Sequence, residues 1–270
     1  MNMPLLLPFT KACALGNDFV MIDGAHLSLY DDLQALSIRL ADRRYGIGCD
    51  QVVYWYETAD PHFYKVDFFN ADGSQAESCG NGTRCLARLL MQQRKTDKMQ
   101  LQTPGGILSC QLLSNNEVAV TFPKPTYDLG INLDNHADLV TSNPVYVNMG
   151  NPHLVCFVNP KFDFKHWGPL LETYLYKINP SFPAHVNVGF ASMVDEQTVS
   201  LNVWERGAGF TPACGTGACA AAVAAKARGL TYADITCVIQ KGGTLKVQLL
   251  QNYVILEGEA YLTYEGSYPL

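Results

Sequence analysis

Two short stretches hold the side chains best suited to chemistry: Cys79-Gly80-Asn81-Gly82 and Cys214-Gly215-Thr216-Gly217, which stand 135 positions apart. Each runs into a helix-forming segment, predicted over 83–93 in the first case and 218–228 in the second, where Gly229 supplies the stop. The glycine-rich stretches read as loops, so each cysteine falls at or just before a helix N-terminus. Unpaired N–H groups and the positive end of the helix dipole favour a thiolate there. A free cysteine titrates near ~8.5, and such surroundings lower this into the range ~3.5–7.5. The same N–H groups can also hold a carboxylate. Two matched thiols aimed at each other can remove a proton from one face of a tetrahedral carbon and return one to the other. N–H donors converging on the carboxylate would stabilise the carbanion-like state between. Such an inversion needs no cofactor.

The rest of the chain repeats with the same offset. Gly16-Asn17 recurs as Gly150-Asn151, Gln51 corresponds to Asn187, and Asn70 and Glu205 each stand nine positions before a cysteine. The stretch from Gly105 to Leu113 matches that from Gly242 to Leu250 at six of nine positions, with the glycine pairs opening strands. Offsets drift only from 134 to 137, as small insertions would produce. Duplication of a fold explains repeated glycines; it does not explain repeated polar and thiol positions, which a shared site would. Asn17, Gln51, Asn70, Asn151 and Asn187 are amides able to donate and accept. Arg206 can grip a carboxylate through two parallel bonds, Glu205 can take an ammonium or tune a thiol, and His153 can also tune a thiol.

Other uses of the cysteines are weaker. Cys79, Cys85, Cys214 and Cys219 suggest zinc, but their spacings are unequal, with five and four residues between, where zinc pairs favour two to four, and Cys85 and Cys219 fall among core helix residues. No metal is expected. Neither Cys79 nor Cys214 belongs to a Cys-x-x-Cys redox motif. Cys13, Cys49, Cys110, Cys156 and Cys237 read as bystanders. No lysine sits beside a phosphate-binding loop, which argues against pyridoxal chemistry, and a protein that only binds amino acids needs no thiols.

Those residues must be positioned by a globular α/β chain. The 270 residues are 48% hydrophobic and 16% charged, and a net charge of −6 argues against nucleic acid or an anionic membrane as partner. The apolar start over 1–9 lacks the basic beginning of a secretory signal, and no apolar run reaches the ~18 residues of a membrane span. Nine cysteines, an odd number, fit a reducing compartment. A soluble, cytoplasmic chain is expected. Strands are predicted at 52–56, 64–69, 107–113, 118–122, 145–147, 154–158, 199–204, 245–250 and 253–257, with a further helix over 31–43. The segment 123–143, with its prolines and turn formers, reads as a linker. Two pseudo-symmetric domains follow, 1–124 joined by the strand 261–270, and 125–260, with the site in the cleft between them.

The motifs Leu15-Gly16-Asn17-Asp18-Phe19-Val20, Gly46-Ile47-Gly48-Cys49-Asp50-Gln51, Phe69-Asn70-Ala71-Asp72-Gly73-Ser74, Ser78-Cys79-Gly80-Asn81-Gly82-Thr83-Arg84-Cys85, Met149-Gly150-Asn151-Pro152-His153, Glu205-Arg206-Gly207-Ala208-Gly209 and Ala213-Cys214-Gly215-Thr216-Gly217-Ala218-Cys219 run in order over nearly the whole chain. In this the sequence resembles the diaminopimelate epimerase family, bacterial enzymes that convert LL- to meso-diaminopimelate for lysine and peptidoglycan synthesis. The resemblance implies strands wrapped around a central helix in each domain. It implies Cys79 and Cys214 as the acid/base pair, modulated by His153 and Glu205. Substrate contacts map to Asn17, Gln51, Asn70, Asn151, Asn187, Glu205 and Arg206, and to the backbones of Gly80, Asn81, Gly215 and Thr216. It further implies no cofactor, a cytoplasmic homodimer, and Tyr264 as a dimer contact. Two departures stand out: Cys13-Ala14 replaces the family's His-Gly, and Phe210-Thr211 replaces its Glu-Thr. A same-fold racemase of proline or histidine is the nearest alternative, but Arg206 and Asn70 favour a ligand with a second carboxylate.

Overall fold

A computed structural model describes residues 6–27, 30, 32–113, 117–131, 144–159 and 162–270. The chain divides into two compact units, Met1–Val120 with Gly258–Leu270, and Thr121–Glu257. The first carries β1 (Leu6–Ala14), β2 (Asn17–Asp23), α1 (Leu33–Ala41), β3 (Gln51–Glu57), β4 (Phe63–Asn70), β5 (Gln75–Ala76), α2 (Gly80–Arg94), β6 (Lys98–Thr103) and β7 (Gly106–Leu112), and most of β8 (Glu117–Pro123). The second carries β9 (Thr126–Asp128), β10 (Val145–Asn148), β11 (Pro152–Phe157), α3 (Phe164–Glu172), α4 (Tyr174–Ile178), β12 (Asn187–Met193), β13 (Thr198–Glu205), β14 (Gly209–Thr211), α5 (Gly215–Ala227), β15 (Ile235–Gln240) and β16 (Gly243–Leu249), and most of β17 (Tyr253–Glu259). The final strand, β18 (Tyr261–Pro269), returns to the first unit.

The repeat is realised strand by strand. In the first unit β1 pairs antiparallel with β2, β2 parallel with β3, β3 antiparallel with β4, β4 parallel with β6, and β6 antiparallel with β7. In the second, β10, β11, β12, β13, β15 and β16 follow the same sequence of pairings. The outer neighbour of β1 is β18, and that of β10 is β9.

Each curled sheet encloses one helix. α2 touches β1, β2, β3, β6, β7 and β18, and α5 touches β10, β11, β12, β13, β15 and β16. A helix surrounded this way must be apolar or small on every side. In α5 every residue from Gly215 to Ala225 is buried, and six of those are alanines, which let the strands come close. α2 is likewise buried from Gly80 to Ala87, including Arg84. Among the described residues no helix is long and apolar enough to cross a membrane.

The expected strands all form, shifted or extended by one or two residues. The helices differ more. α2 and α5 begin at Gly80 and Gly215, so the stretches read as loops are first helical turns. α1 is shorter than the predicted 31–43, ending where Asp42 turns its backbone away; Asp31 lies outside the described residues. The linker expectation over 123–143 is corrected in part, because 126–128 forms β9; 132–143 lie outside the described residues, as do 1–5 of the apolar start. β1, β2, β5, β6, β9, β12, β14, β15, α3 and α4 were not anticipated, whereas the expected strand 261–270 forms as β18. In α3 a glycine and a proline masked the helical signal; a Cβ on Gly168 would stand 2.8 Å from Trp204 Cδ2, which is why that position is bare.

Candidate active site

In the first unit Cys79 is the N-cap of α2, held extended (φ −142°, ψ 104°), and its sulfur accepts a hydrogen bond from Gly82 N at 3.3 Å. A Cβ on Gly82 would sit 3.0 Å from Phe68 Cε1 and 3.4 Å from the sulfur, so glycine is needed for close approach. The N–H groups of Gly80 and Asn81 precede the intrahelical ladder, which opens with Thr83 N donating to Cys79 O at 2.8 Å. Around this start stand several amides. Asn81 Nδ2 donates to Asn17 Oδ1 at 3.3 Å, and Asn17 Nδ2 donates to Asp50 Oδ2 at 2.7 Å. Gln51 and Asn70 face each other across β3 and β4, with Gln51 Nε2 donating to Asn70 Oδ1 at 2.8 Å. Gln51 Oε1 is buried without a hydrogen-bond partner, an acceptor left open.

The second unit repeats the device with other supports. Cys214 caps α5 (φ −125°, ψ 117°) and accepts from Gly217 N at 3.3 Å. A Cβ on Gly217 would meet Val203 Cγ2 at 3.0 Å and the sulfur at 3.2 Å. Thr216 Oγ1 lies 3.6 Å from the sulfur and accepts from Asn151 Nδ2 at 3.2 Å. His153 Nε2 stands 3.1 Å from both Asn151 Oδ1 and Thr216 Oγ1, so His153 reaches the sulfur through one hydroxyl. Burial first, and the Arg206 charge second, pull the His153 pKa down to about 3. The ring is therefore neutral near pH 7. With Nε2 facing a carbonyl oxygen, that nitrogen carries the proton, which leaves Nδ1 bare; it is buried without a partner.

Asn187 ties two of the remaining groups together, donating from Nδ2 to Pro152 O at 3.1 Å and accepting at Oδ1 from Arg206 N at 3.0 Å. Glu205 ends β13, and its Oε1 accepts from Thr211 Oγ1. Phe210, beside Thr211, packs edge-on against Phe164 and Trp204, each at 5.1 Å. The ring that departs from the family pattern is thus absorbed by an aromatic cluster. Tyr264 on β18 is 49% exposed, with its ring against Phe9.

Several supporting residues escaped the sequence reading. Gln240 clamps Cys214, accepting from its N–H at 2.8 Å and donating to its C=O at 3.3 Å. Asp50, Arg84 and Thr211 likewise hold candidate residues in place. The signal available for Gln240 was its place just before the repeated glycine pair. Cys49, Cys85, Cys110 and Cys156 are buried, and desolvation pushes each thiol up to about 12, as inert core residues require. Among the described residues no group of three or more His, Cys, Asp or Glu could hold a metal ion.

Known proteins match this arrangement. A family model described as diaminopimelate epimerase matches residues 9–127 and again residues 145–263. A diaminopimelate epimerase of Phenylobacterium zucineum is 39% identical over 278 residues, covering 97% of this chain and 98% of that one. Another, from Acinetobacter baylyi, is 37% identical over 286 residues and covers 98% of both. Among solved structures, a hydroxyproline epimerase from Agrobacterium vitis shares the fold at a TM-score of 0.74 and 15% identity, over 99% of this chain and 94% of that one. A probable proline racemase from Agrobacterium radiobacter does so at 0.75 and 14%, over 98% and 93%. The double match falls on the two repeats that carry the capping cysteines, and on that ground the chain belongs to the diaminopimelate epimerase family, an isomerase family.

Proposed function

We propose that this chain interconverts LL- and meso-diaminopimelate by two-base proton transfer, with Cys79 and Cys214 acting on opposite faces of one α-carbon. One thiolate takes the Cα proton and becomes a thiol; the other thiol gives its proton to the opposite face and becomes a thiolate. Protons and charge balance, and the pair is ready for the reverse reaction. First-turn N–H groups of Gly80, Asn81, Gly215 and Thr216 hold the α-carboxylate and the charge that develops on it. His153 and Glu205 modulate the thiols. Asn17, Gln51, Asn70, Asn151, Asn187, Glu205 and Arg206 bind the rest of the ligand, the Arg206 guanidinium taking the distal carboxylate. No cofactor or metal takes part.

One observation carries this reading: two cysteines cap equivalent helices in a repeated unit, each with a glycine N–H on its sulfur at 3.3 Å. The names of the relatives at 37–39% identity favour diaminopimelate over the smaller amino acids of the distant fold neighbours. The enzyme works in the cytoplasm as a homodimer, with Tyr264 on the exposed β18 as a contact. The test is incubation with LL-diaminopimelate in deuterated water without added cofactor. Meso product labelled at one α-carbon is expected, and Cys79→Ala or Cys214→Ala should remove the activity while the fold survives. Inversion by the double alanine variant would end the mechanism.

A further inference from the structure

Four buried or half-buried groups in the first unit form a chain of hydrogen bonds with a charge at each end. Arg84, fully buried on α2, donates from Nη2 to Asn81 Oδ1 at 2.8 Å and from Nη1 to Gly80 O at 3.3 Å. Asn81 Nδ2 donates to Asn17 Oδ1 at 3.3 Å, and Asn17 Nδ2 donates to Asp50 Oδ2 at 2.7 Å. Asp50 is held in turn by Arg43 Nη2 at 2.7 Å from its other oxygen. An amide can turn over, exchanging its donor and acceptor ends. A guanidinium has only donors, and a carboxylate only acceptors. Arg84 therefore forces Asn81 to turn its oxygen inward, and Asp50 forces Asn17 to turn its NH2 away. The two constraints meet between Asn81 and Asn17 as a donor facing an acceptor.

The fold does not demand these charges. At the corresponding repeat positions the second unit has Cys219 for Arg84 and Val186 for Asp50, and it builds the same helix start without them. We propose that Asp50 and Arg84 are positioning residues that fix the direction of this chain, so that Asn17 presents its carbonyl oxygen, not its NH2, at the Cys79 helix start. Asn17 then selects an N–H donor on the ligand, an ammonium group, beside the carboxylate that the Gly80 and Asn81 N–H groups hold. This rests on the reading that Asn17 contacts the substrate.

The test reverses the bond. Asn17→Asp sets two carboxylates against each other where 2.7 Å now separates donor and acceptor, so the pair must share a proton. Asp50→Asn lets the Asn17 amide turn. The double variant N17D/D50N restores a donor opposite an acceptor, with an oxygen still presented to Asn81. At pH 8, N17D should lower kcat/KM about 100-fold, recovering as pH falls, and D50N about 10-fold through KM with kcat nearly unchanged. The double variant should return to within about 10-fold of the parent, against about 1,000-fold if the sites were independent. An additive double variant, or a D50N effect confined to kcat, overturns the proposal. Melting temperatures without ligand run beside the kinetics. N17D should lose about 4 °C and the double variant most of that loss regained. Coupling in melting without coupling in KM would mean that the chain exists but presents nothing to the ligand, which also overturns the proposal. If the parent fails to epimerise diaminopimelate, the functional reading falls, and the melting cycle still decides the direction of the chain.

Discussion

The helix starts at Cys79 and Cys214 share one backbone device and differ in what stands behind it. Both cysteines are extended N-caps, and both sulfurs take a glycine N–H at 3.3 Å. Behind Asn17 and Asn81 lie charges: Asp50, Arg84, and beyond them Arg43 bonded through both its terminal nitrogens to Asp18. Behind Asn151 and Thr216 lies a neutral imidazole, with a glutamine clamping the cysteine backbone. Where β2 places Phe19 beside Gln51, β11 places His153 beside Asn187. Duplication copied the geometry of the caps, which local backbone determines, and let the electrostatic setting diverge.

The widest divergence is in acid. His153 has a folded pKa of about 3, below its ordinary 6.5. The unfolded state therefore binds the extra proton first, and the stability due to neutral His153 is present above pH 6.5 and lost progressively down to about 3. Asp18 behaves differently: burial would raise it, but hydrogen bonds from Arg43 and Lys11 outweigh that and hold it at about 2. Its contribution persists until pH falls below about 4 and disappears towards 2. It amounts to about 2 kcal/mol at most, less for solvent screening because Arg43 is 57% exposed. Hydrogen exchange at pH 5 should show the second unit opening before the first, and His153→Asn should flatten the loss between pH 6.5 and 4. If the first unit opens earlier, the contrast fails.

Arg84 gives the next effect. Arg84→Met removes the buried guanidinium bonds to Asn81 Oδ1 and Gly80 O and should cost about 3 kcal/mol in denaturant unfolding. Cys219→Ala, at the matching position, should cost about 1 kcal/mol. Equal losses would mean that the buried guanidinium supports nothing particular. Gly217→Ala should cost about 1–2 kcal/mol from crowding against Val203 and lower kcat about 10-fold by pushing the sulfur off its N–H. Gly82→Ala crowds Phe68 at the same 3.0 Å and should cost similar stability, but should lower kcat less, since its Cβ would stand farther, 3.4 Å, from its sulfur. The smallest effect is in labelling. Cys79 is half-buried and Cys214 only 5% exposed, so iodoacetamide should alkylate Cys79 several-fold faster, as peptide mass spectrometry would show. Cys49, Cys85, Cys110 and Cys156 should stay unlabelled in the folded protein.

What the sequence reveals here is what is local or repeated. The Cys-Gly-x-Gly stretches, the glycine pairs and the recurring amides can be aligned with themselves, and the strands 52–56 and 64–69 follow from runs of β-branched and aromatic residues. Supports that cross long stretches of chain leave no such trace. Asp50 meets Asn17 across 33 positions, and Gln240 meets Cys214 across 26. Arg84 is fully buried because the sheet closes round α2, which its charge alone does not foretell. The first turns of α2 and α5 looked like loops because glycine is a poor helix former; tertiary crowding beside the sulfur overrides that preference. β18, expected as the closing strand 261–270, keeps one face half-buried through Leu262, Gly266 and Tyr268 and leaves the other exposed.

That same strand has a consequence for synthesis. β1 pairs with β18 from Leu6↔Pro269 to Cys13↔Tyr261. The first half to leave the ribosome must therefore wait for residues made some 250 positions later before its sheet gains that neighbour. The second half has β9 beside β10 already in hand. Closing so large a loop is entropically slow. During translation the later-made unit should mature first, with the earlier-made one exposing the free edge of β1 until β18 becomes available to it.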